Sequence, residues 1–307
     1  MPFLLNLLNL IRWKNLVLIA VTQYLIKYAL LQPFEVSLYL NHYGFALLVV
    51  SSLCIAAAGY IINDLQDVTS DQINKPDRVI INMSISESFA FKLYVGFNVL
   101  GVGLGFVLCH MIGKPGFFVI FFIISALLYL YSSFLQYHPV IGNLVIALVV
   151  AFSILIVGVF ELIPTITDSN RTTPFFFFNI LKDYAVFAFM ITLLRELTKD
   201  IEDVDGDHNA GMNTLPIAIG RERANWVTFI VSLIPLGATI YYVIANLYKQ
   251  EWLVIYFLAT IIAPLIYVSI KLFVAETKAH YRHLSLVIKY ILIAGILSLA
   301  LYPLIIS

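Results

Sequence analysis

Charged residues are scarce in this chain of 307 residues. Asp, Glu, Lys and Arg together make up 12% of the sequence, whereas hydrophobic residues make up 61%. Soluble domains carry about 25% charged residues, so this composition excludes an ordinary soluble domain and favours a multi-span membrane protein. The 18 basic and 18 acidic side chains balance, so no net charge attracts the chain to nucleic acid.

Cysteine is almost absent as well. The two cysteines, Cys54 and Cys109, both lie inside apolar runs. Two thiols in such positions indicate neither a disulfide framework nor a metal site. We expect them to pack as small apolar side chains.

The first residues lack the basic region and the small-residue cleavage site of a signal peptide. We therefore predict a retained interfacial segment at the start of the chain. Trp13 lies between Arg12 and Lys14, a combination that fits the headgroup level of a bilayer.

Nine apolar segments approach the length of about 20 residues that a spanning helix needs. Because these runs are continuous, we predict an all-α polytopic membrane bundle of nine transmembrane helices. We expect residues 1–307 to form a single domain. The predicted spans, of which the first and sixth are short, are Leu16–Leu31, Phe45–Ile62, Ser88–Cys109, Phe117–Phe134, Val140–Phe160, Leu181–Leu197, Ala224–Ala245, Trp252–Phe273 and Leu284–Ile305.

Basic residues predict the orientation of the bundle. If the N-terminus is cytoplasmic, most Lys and Arg residues fall on the cytoplasmic side, as the positive-inside rule requires. The segment Glu161–Asn179 contains Pro164 and Pro174 and is then predicted to be an outer loop. We expect an integral protein of a bacterial or archaeal inner membrane, with its active site facing the cytoplasm.

Two acidic clusters interrupt the apolar sequence, at Asn63–Arg78 and at Lys199–Pro216. They follow the second and sixth predicted spans, so both lie on the cytoplasmic side. Carboxylates are costly near lipid, and their concentration there indicates a site. The alternative is that they are solvated charges at helix ends, which explains most isolated D-x-x-x-D motifs. Two matching clusters at equivalent places favour the site.

The spacing within each cluster favours a cation. The predicted metal ligands recur every four residues and therefore share a helix face. They are Asn63, Asp67 and Asp71 in the first cluster and Asp203 and Asp207 in the second. Mg²⁺ prefers oxygen ligands and binds through one or two carboxylates together with substrate phosphates.

Basic side chains beside these ligands are predicted to bind the oxygens of a diphosphate. They are Lys75, Arg78 and Lys199. Three further acidic residues fall off the shared faces and are predicted to be solvated, namely Asp64, Glu202 and Asp205.

Together the clusters resemble the motifs of the UbiA-type membrane prenyltransferases. The first reads N-D-x-x-D-x-x-x-D-x-x-N-K-P-D-R from Asn63, and the second reads D-x-x-D-x-x-G-D-x-x-x-G-x-x-T-L-P from Asp200. The segments Ile11–Asn15 and Tyr131–Asn143 are weaker matches. The second motif is most similar to the branch that prenylates geranylgeranylglyceryl phosphate.

The resemblance implies transfer of an isoprenoid chain from a prenyl diphosphate, with Mg²⁺ as cofactor and loss of diphosphate. The expected donor is geranylgeranyl diphosphate and the expected acceptor is geranylgeranylglyceryl phosphate; an aromatic quinone precursor or haem is the alternative acceptor. Asp67 and Asp203 are the expected catalytic residues. Expected partners are these substrates and membrane lipid, without nucleic acid or an obligate protein partner.

The chain departs from the family pattern at Gln136, where the family commonly has Lys or Arg. His138 and Arg78 are the candidates for replacing that charge, and an inactive homologue is an alternative reading. Four more residues are possible members of the site, namely Asp200, His208, Tyr131 and Gln136.

A secondary transporter with an acidic cation path is the alternative from another class of protein. Transporter sites lie near the bilayer midplane, whereas both acidic clusters lie at the ends of spans. The N-K-P-D-R segment also contains Lys75 and Arg78, whose positive charges suit an anionic substrate. Both features favour the enzyme.

Overall fold

Nine long apolar helices form the body of the described part of the protein. The structure is a computed structural model that describes residues 2–303. Within that range there is no β-strand, and an isolated bridge joins Ile81 and Ile85. The long helices, which confirm the predicted membrane bundle, are Trp13–Phe34, His42–Gln66, Glu87–Met111, Pro115–Ser133, Ile141–Thr165, Thr172–Asn209, Arg221–Leu247, Glu251–Phe273 and Lys278–Leu301. We refer to them as the first to ninth spans.

The sixth span differs most from its prediction. The sequence pattern predicted the short span Leu181–Leu197, but the helix runs over 38 residues from Thr172 to Asn209. The prediction of a long outer loop over Glu161–Asn179 was wrong at both ends, because the fifth span extends to Thr165 and the sixth begins at Thr172. The polar end of the helix is held by tertiary packing, which overrides the weak helix propensity of its Asp and Asn residues. The predicted end of the ninth span, Ile305, lies outside the described residues.

Three short α-helices of the described residues lie outside the spans. The N-terminal segment forms the helix Pro2–Leu10, and the chain then turns at Arg12, whose φ of 49° is left-handed. Val68–Asn74 follows the second span after a break at Asp67. Leu215–Ile219 begins with Pro216 in its first turn, a position where proline is tolerated because that N–H has no helical partner.

The described spans pack around two large apolar cores and a smaller apolar cluster between the N-terminal helix and the second and third spans. Phe45, Phe121 and Phe160 are among the fully buried side chains of the core that involves the first half of the bundle. Leu265 and Ile288 belong to the core that the sixth span forms with the last three. The sixth span therefore contributes to both halves of the molecule.

A buried ion pair joins the first and fifth spans at the end of the bundle away from Arg12. Lys27 is 3% exposed and Glu161 is 0% exposed. The Lys27 ammonium donates to Glu161 Oε1 at 2.6 Å and to the Leu40 carbonyl at 2.7 Å. The Leu40 N–H donates to Glu161 Oε2 at 3.1 Å. Each buried charge is thus paired and hydrogen-bonded, as a low-dielectric interior requires.

Candidate active site

The two acidic clusters meet through the short helix Val68–Asn74, which packs against the end of the sixth span. Ser70 Oγ donates to Asp207 Oδ1 at 2.9 Å. The Asn74 side-chain amide donates to the Asp203 carbonyl at 2.7 Å and to Asp207 Oδ1 at 3.3 Å. Residues more than 120 positions apart in sequence therefore form one polar site, as the paired motifs predicted.

Gly206 permits this close approach. Its backbone N–H donates to Asn74 Oδ1 at 3.0 Å. A Cβ atom at Gly206 would collide with the Asn74 amide and with the Ser70 carbonyl. Only a residue without a side chain leaves room for the short helix at this point of the sixth span.

In the first cluster, backbone hydrogen bonds between residues four positions apart continue across the helix break. The Asp67 N–H donates to the Asn63 carbonyl at 2.9 Å, and the Asp71 N–H donates to the Asp67 carbonyl at 2.8 Å. The Asn63 side-chain amide also donates to Asp67 Oδ2 at 2.7 Å. The predicted ligands of the first cluster thus remain in line although the helix changes direction at Asp67.

Gln136, the residue at which the chain departs from the family pattern, lies inside the first cluster. Its Nε2 donates to Asp67 Oδ1 at 2.9 Å, and its Oε1 accepts from Asn63 Nδ2 at 3.1 Å. The side chain is buried, with a further bond to the Ser132 carbonyl. Lys or Arg carries donors only and could not accept from Asn63. Gln136 therefore joins two predicted ligands in a way that a basic residue cannot.

Arg12 is a member of the site that the sequence reasoning did not assign. Its guanidinium donates to Asn63 Oδ1 at 3.2 Å and pairs with Asp64 at 2.7 Å, and it lies 5.0 Å from the centre of the Tyr60 ring. The prediction that Asp64 is merely solvated was therefore wrong. The weak motif match at Ile11–Asn15 was the signal that could have identified Arg12.

Lys75 connects the two clusters electrostatically. Its ammonium contacts Asp203 Oδ2 at 2.5 Å. Although burial opposes it, the Asp203 carboxylate raises the pKa of Lys75. The other carboxylate oxygen, Asp203 Oδ1, is buried without a hydrogen-bond partner, so it remains available to a cation.

The first cluster has carboxylates whose charge the protein only partly balances. Burial and the neighbouring Asp71 carboxylate raise the pKa of Asp67 to about 7. Burial likewise raises the pKa of Asp71. A cation that binds beside a buried carboxyl group with a raised pKa stabilises its ionised form.

The residues present fit Mg²⁺. Between residues 2 and 303, no three His, Cys, Asp or Glu side chains converge into a ready-made metal cage. Mg²⁺ does not need one, because it binds through one or two carboxylates and completes its shell with water and substrate phosphate. Asp203 Oδ1 and the Asp67 carboxylate supply oxygen ligands of this kind.

The remaining predicted residues lie around the two clusters. Lys199 Nζ donates to Glu196 at 3.1 Å, whereas the predicted contact was a diphosphate. Asn143 Nδ2 donates to Asp200 Oδ2 at 2.9 Å. Tyr131 lies within electrostatic range of Asp67 and Asp200, so it borders the site.

Other residues of the second motif face away from it. His208 and Asp205 are exposed, as predicted for Asp205, and both line a shallow depression on the surface. Glu202 is buried, so the prediction that it is solvated was wrong. The side chain of Arg78 lies outside the part of the chain that the structure describes.

A family model for the UbiA prenyltransferase family matches residues 24–293. The chain belongs to this family. The match confirms the resemblance drawn from the two acidic motifs. Together with the nine apolar helices, it identifies this UbiA family member as an integral membrane protein.

Two curated relatives of this UbiA family chain are archaeal digeranylgeranylglyceryl phosphate synthases. That of Sulfolobus acidocaldarius is 33% identical over 199 residues, which cover 64% of this chain and 62% of the relative. That of Korarchaeum cryptofilum is 31% identical over 256 residues, which cover 81% of this chain and 82% of the relative. The chain thus spans less than two thirds of the length of the first relative and about four fifths of the second.

Solved structures share the UbiA fold. A structure of digeranylgeranylglyceryl phosphate synthase superposes with a TM-score of 0.62 at 23% identity, covering 98% of this chain and 99% of that one. A UbiA homologue from Archaeoglobus fulgidus bound to DMAPP and Mg²⁺ gives a TM-score of 0.56 at 16% identity, covering 96% and 98%.

Proposed function

We propose that this protein transfers a prenyl chain from a prenyl diphosphate to a lipophilic acceptor in a Mg²⁺-dependent reaction. One observation carries the proposal. The short helix Val68–Asn74 brings two acidic clusters together, and Asp203 there keeps a buried carboxylate oxygen without a partner. Such an arrangement suits a diphosphate that is held through metal ions between two sets of oxygen ligands.

The five predicted oxygen ligands would hold Mg²⁺, and the bound ion would supply charge stabilisation for the leaving diphosphate. Gln136 orients Asp67 and Asn63 towards one another. Lys75, at the junction of the clusters, is the basic residue best placed to exchange its carboxylate partner for a phosphate oxygen.

In the proposed reaction the bond between C1 of the prenyl chain and the diphosphate oxygen breaks, and the diphosphate leaves with the electron pair. The acceptor hydroxyl oxygen then bonds to C1, and its proton passes to the released diphosphate. Tyr131 borders the site and offers an aromatic face to positive charge that develops on the prenyl chain. The apolar spans exclude water that would otherwise capture this carbon.

We propose geranylgeranyl diphosphate as the donor and geranylgeranylglyceryl phosphate as the acceptor. The names of the two archaeal relatives support this choice. The sequence of the second motif supports it as well, because it is most similar to the branch that prenylates geranylgeranylglyceryl phosphate. An acceptor of this kind would reach the site from the bilayer with its prenyl tail among the apolar spans.

We further propose that the site faces the cytoplasm. Basic residues gather at this end of the bundle, where Arg12 contacts Asn63, Lys75 contacts Asp203 and Lys278 donates to the Asn74 carbonyl at 3.0 Å. An excess of Lys and Arg at one end of a membrane bundle is typical of the cytoplasmic side.

A prenyl-transfer assay in membranes with labelled geranylgeranyl diphosphate tests the proposal. Wild-type protein should give labelled lipid product with Mg²⁺ and none with EDTA. Asp67→Asn and Asp203→Asn should each lower turnover roughly 100-fold or more, because a ligand to the diphosphate site loses its charge. Asp205→Asn is the matched control, since Asp205 is an exposed carboxylate on the same helix. Full transfer by both site variants would contradict the proposal, and so would ion-driven uptake without transfer.

A further inference from the structure

A second polar group, rich in cations, lies beside the first acidic cluster. Lys289 belongs to the ninth span, well inside the helix that begins at Lys278. Its ammonium donates to Asn15 Oδ1 on the first span at 3.0 Å. Among the ion pairs formed by the described residues, none includes Lys289. A half-buried ammonium with an amide as its hydrogen-bond partner lacks the counter-charge that such a position favours.

More cations surround Lys289. Arg195, Lys14 and Arg12 are close enough to repel its charge. The nearby carboxylates are already engaged, because Glu196 pairs with Arg195 at 2.8 Å and with Lys199 at 3.1 Å, and Asp64 pairs with Arg12. Lys14 and Lys289 belong to none of the ion pairs that the described residues form, so these two positive charges lack a directly paired carboxylate.

Two buried groups on the sixth span add unpaired hydrogen-bonding capacity here. Arg195 Nε is buried without a hydrogen-bond partner. Thr192 Oγ1, one helical turn earlier, is also buried and unpartnered. A buried polar atom without a partner is costly, and a ligand that accepts hydrogen bonds would remove that cost.

We propose that Lys289, Arg195 and Asn15 bind a phosphate monoester on the prenyl acceptor. The proposal rests on the proposed function. Two neighbouring sites then bind the two substrates: the carboxylates hold the donor diphosphate through metal ions, whereas the cations bind the acceptor phosphate directly. Arg12 joins the sites, because its guanidinium bonds to Asn63 and its charge also acts on Lys289.

The chemistry of the group selects a phosphate head. A phosphate monoester carries close to two negative charges at neutral pH and three acceptor oxygens. Lys supplies a compact charge, and Arg supplies a planar fork of donors that matches phosphate. A phosphate on the acceptor would therefore balance the unpaired charge of Lys289 and satisfy the free Arg195 donor.

Two acceptors that differ only in the phosphate test the proposal. Wild type and Lys289→Gln are assayed at saturating geranylgeranyl diphosphate and Mg²⁺, with geranylgeranylglyceryl phosphate or with its dephosphorylated alcohol. Lys289→Gln should raise KM for the phosphorylated acceptor roughly tenfold or more, as expected for losing a charged hydrogen bond. It should leave KM for the alcohol and the affinity for the prenyl diphosphate unchanged.

Two further variants separate binding from folding. Lys289→Arg keeps the charge and should restore KM to near the wild-type value. Lys271→Gln removes an exposed lysine of the eighth span and should leave both KM values unchanged.

Three results would overturn the assignment: an unchanged KM for the phosphorylated acceptor, equal losses with both acceptors, or a KM effect that appears only in bilayers of anionic lipid. The last would assign the cations to a membrane lipid headgroup. Failure of the proposed function itself is distinct, since the wild type would then transfer no prenyl chain to either acceptor.

Discussion

The ion pair between Lys27 and Glu161 gives the sharpest stability prediction, because both charges are almost completely buried. Lys27→Met leaves the Glu161 carboxylate buried, with a hydrogen bond from the Leu40 N–H but without a counter-charge. Breaking a buried pair from one side costs about 3–5 kcal/mol, since the other charge is left uncompensated. We expect Lys27→Met to lower the free energy of unfolding by an amount in that range.

The double variant Lys27→Met/Glu161→Gln should recover most of the loss. The Gln side chain keeps an oxygen that accepts from the Leu40 N–H, and no buried charge remains. The Leu40 carbonyl loses the donor that it has in Lys27, which costs about 1–3 kcal/mol if nothing replaces it. The double variant should therefore be less destabilised than Lys27→Met although it carries one more substitution.

Unfolding in mixed micelles, followed for wild type, both single variants and the double variant, measures these free energies as a double-mutant cycle. Equal destabilisation of Lys27→Met and of the double variant would refute the reasoning, because it would show that the uncompensated Glu161 charge does not cause the loss of stability in Lys27→Met. So would a loss below about 1 kcal/mol in Lys27→Met, which is the range of an exposed ion pair.

Two further predictions concern the docking of the clusters. Gln136→Leu removes the bonds to Asn63 and Asp67 and should raise the Mg²⁺ concentration needed for half-maximal prenyl diphosphate binding roughly tenfold. Gln66→Leu, at an exposed glutamine, is the control and should leave this concentration unchanged. An unchanged concentration in Gln136→Leu would count against a positioning role for Gln136. Gly206→Ala forces a methyl group against Asn74 and should destabilise the fold by about 1–3 kcal/mol. Gly237→Ala, at a helical glycine with open space around it, should leave the free energy of unfolding unchanged or raise it. Equal changes in the free energy of unfolding for the two substitutions would exclude a collision with Asn74 as the cause.

The membrane fold was predictable because the apolar runs are long and continuous, which leaves helices as the natural solution in lipid. The ends of the spans were not predictable from the sequence. The sixth span continues through Lys199–Asn209, where single-residue propensities favour a loop, because Asn74 and Ser70 hold its carboxylates and backbone. These contacts join residues more than 120 positions apart, and no local pattern contains them.

The site was predictable at the level of its acidic ligands, whose spacing follows from helix geometry. The residues that connect them were not. Asn74 appeared in the first motif without a role, although its amide joins the clusters. Gln136 looked like a missing charge, whereas its donor and acceptor fit Asp67 and Asn63. Roles of this kind depend on what a side chain faces.

The length of the sixth span has a mechanical consequence. A helix of 38 residues extends about 57 Å at 1.5 Å per residue, nearly twice the roughly 30 Å of bilayer hydrocarbon. Asp203 and Asp207 therefore stand on one continuous rod that is anchored along the whole thickness of the membrane. Asp71 stands on a separate two-turn helix beyond the break at Asp67. Because Ser70 and Asn74 bond to this rod, the long helix also sets the position of the short one.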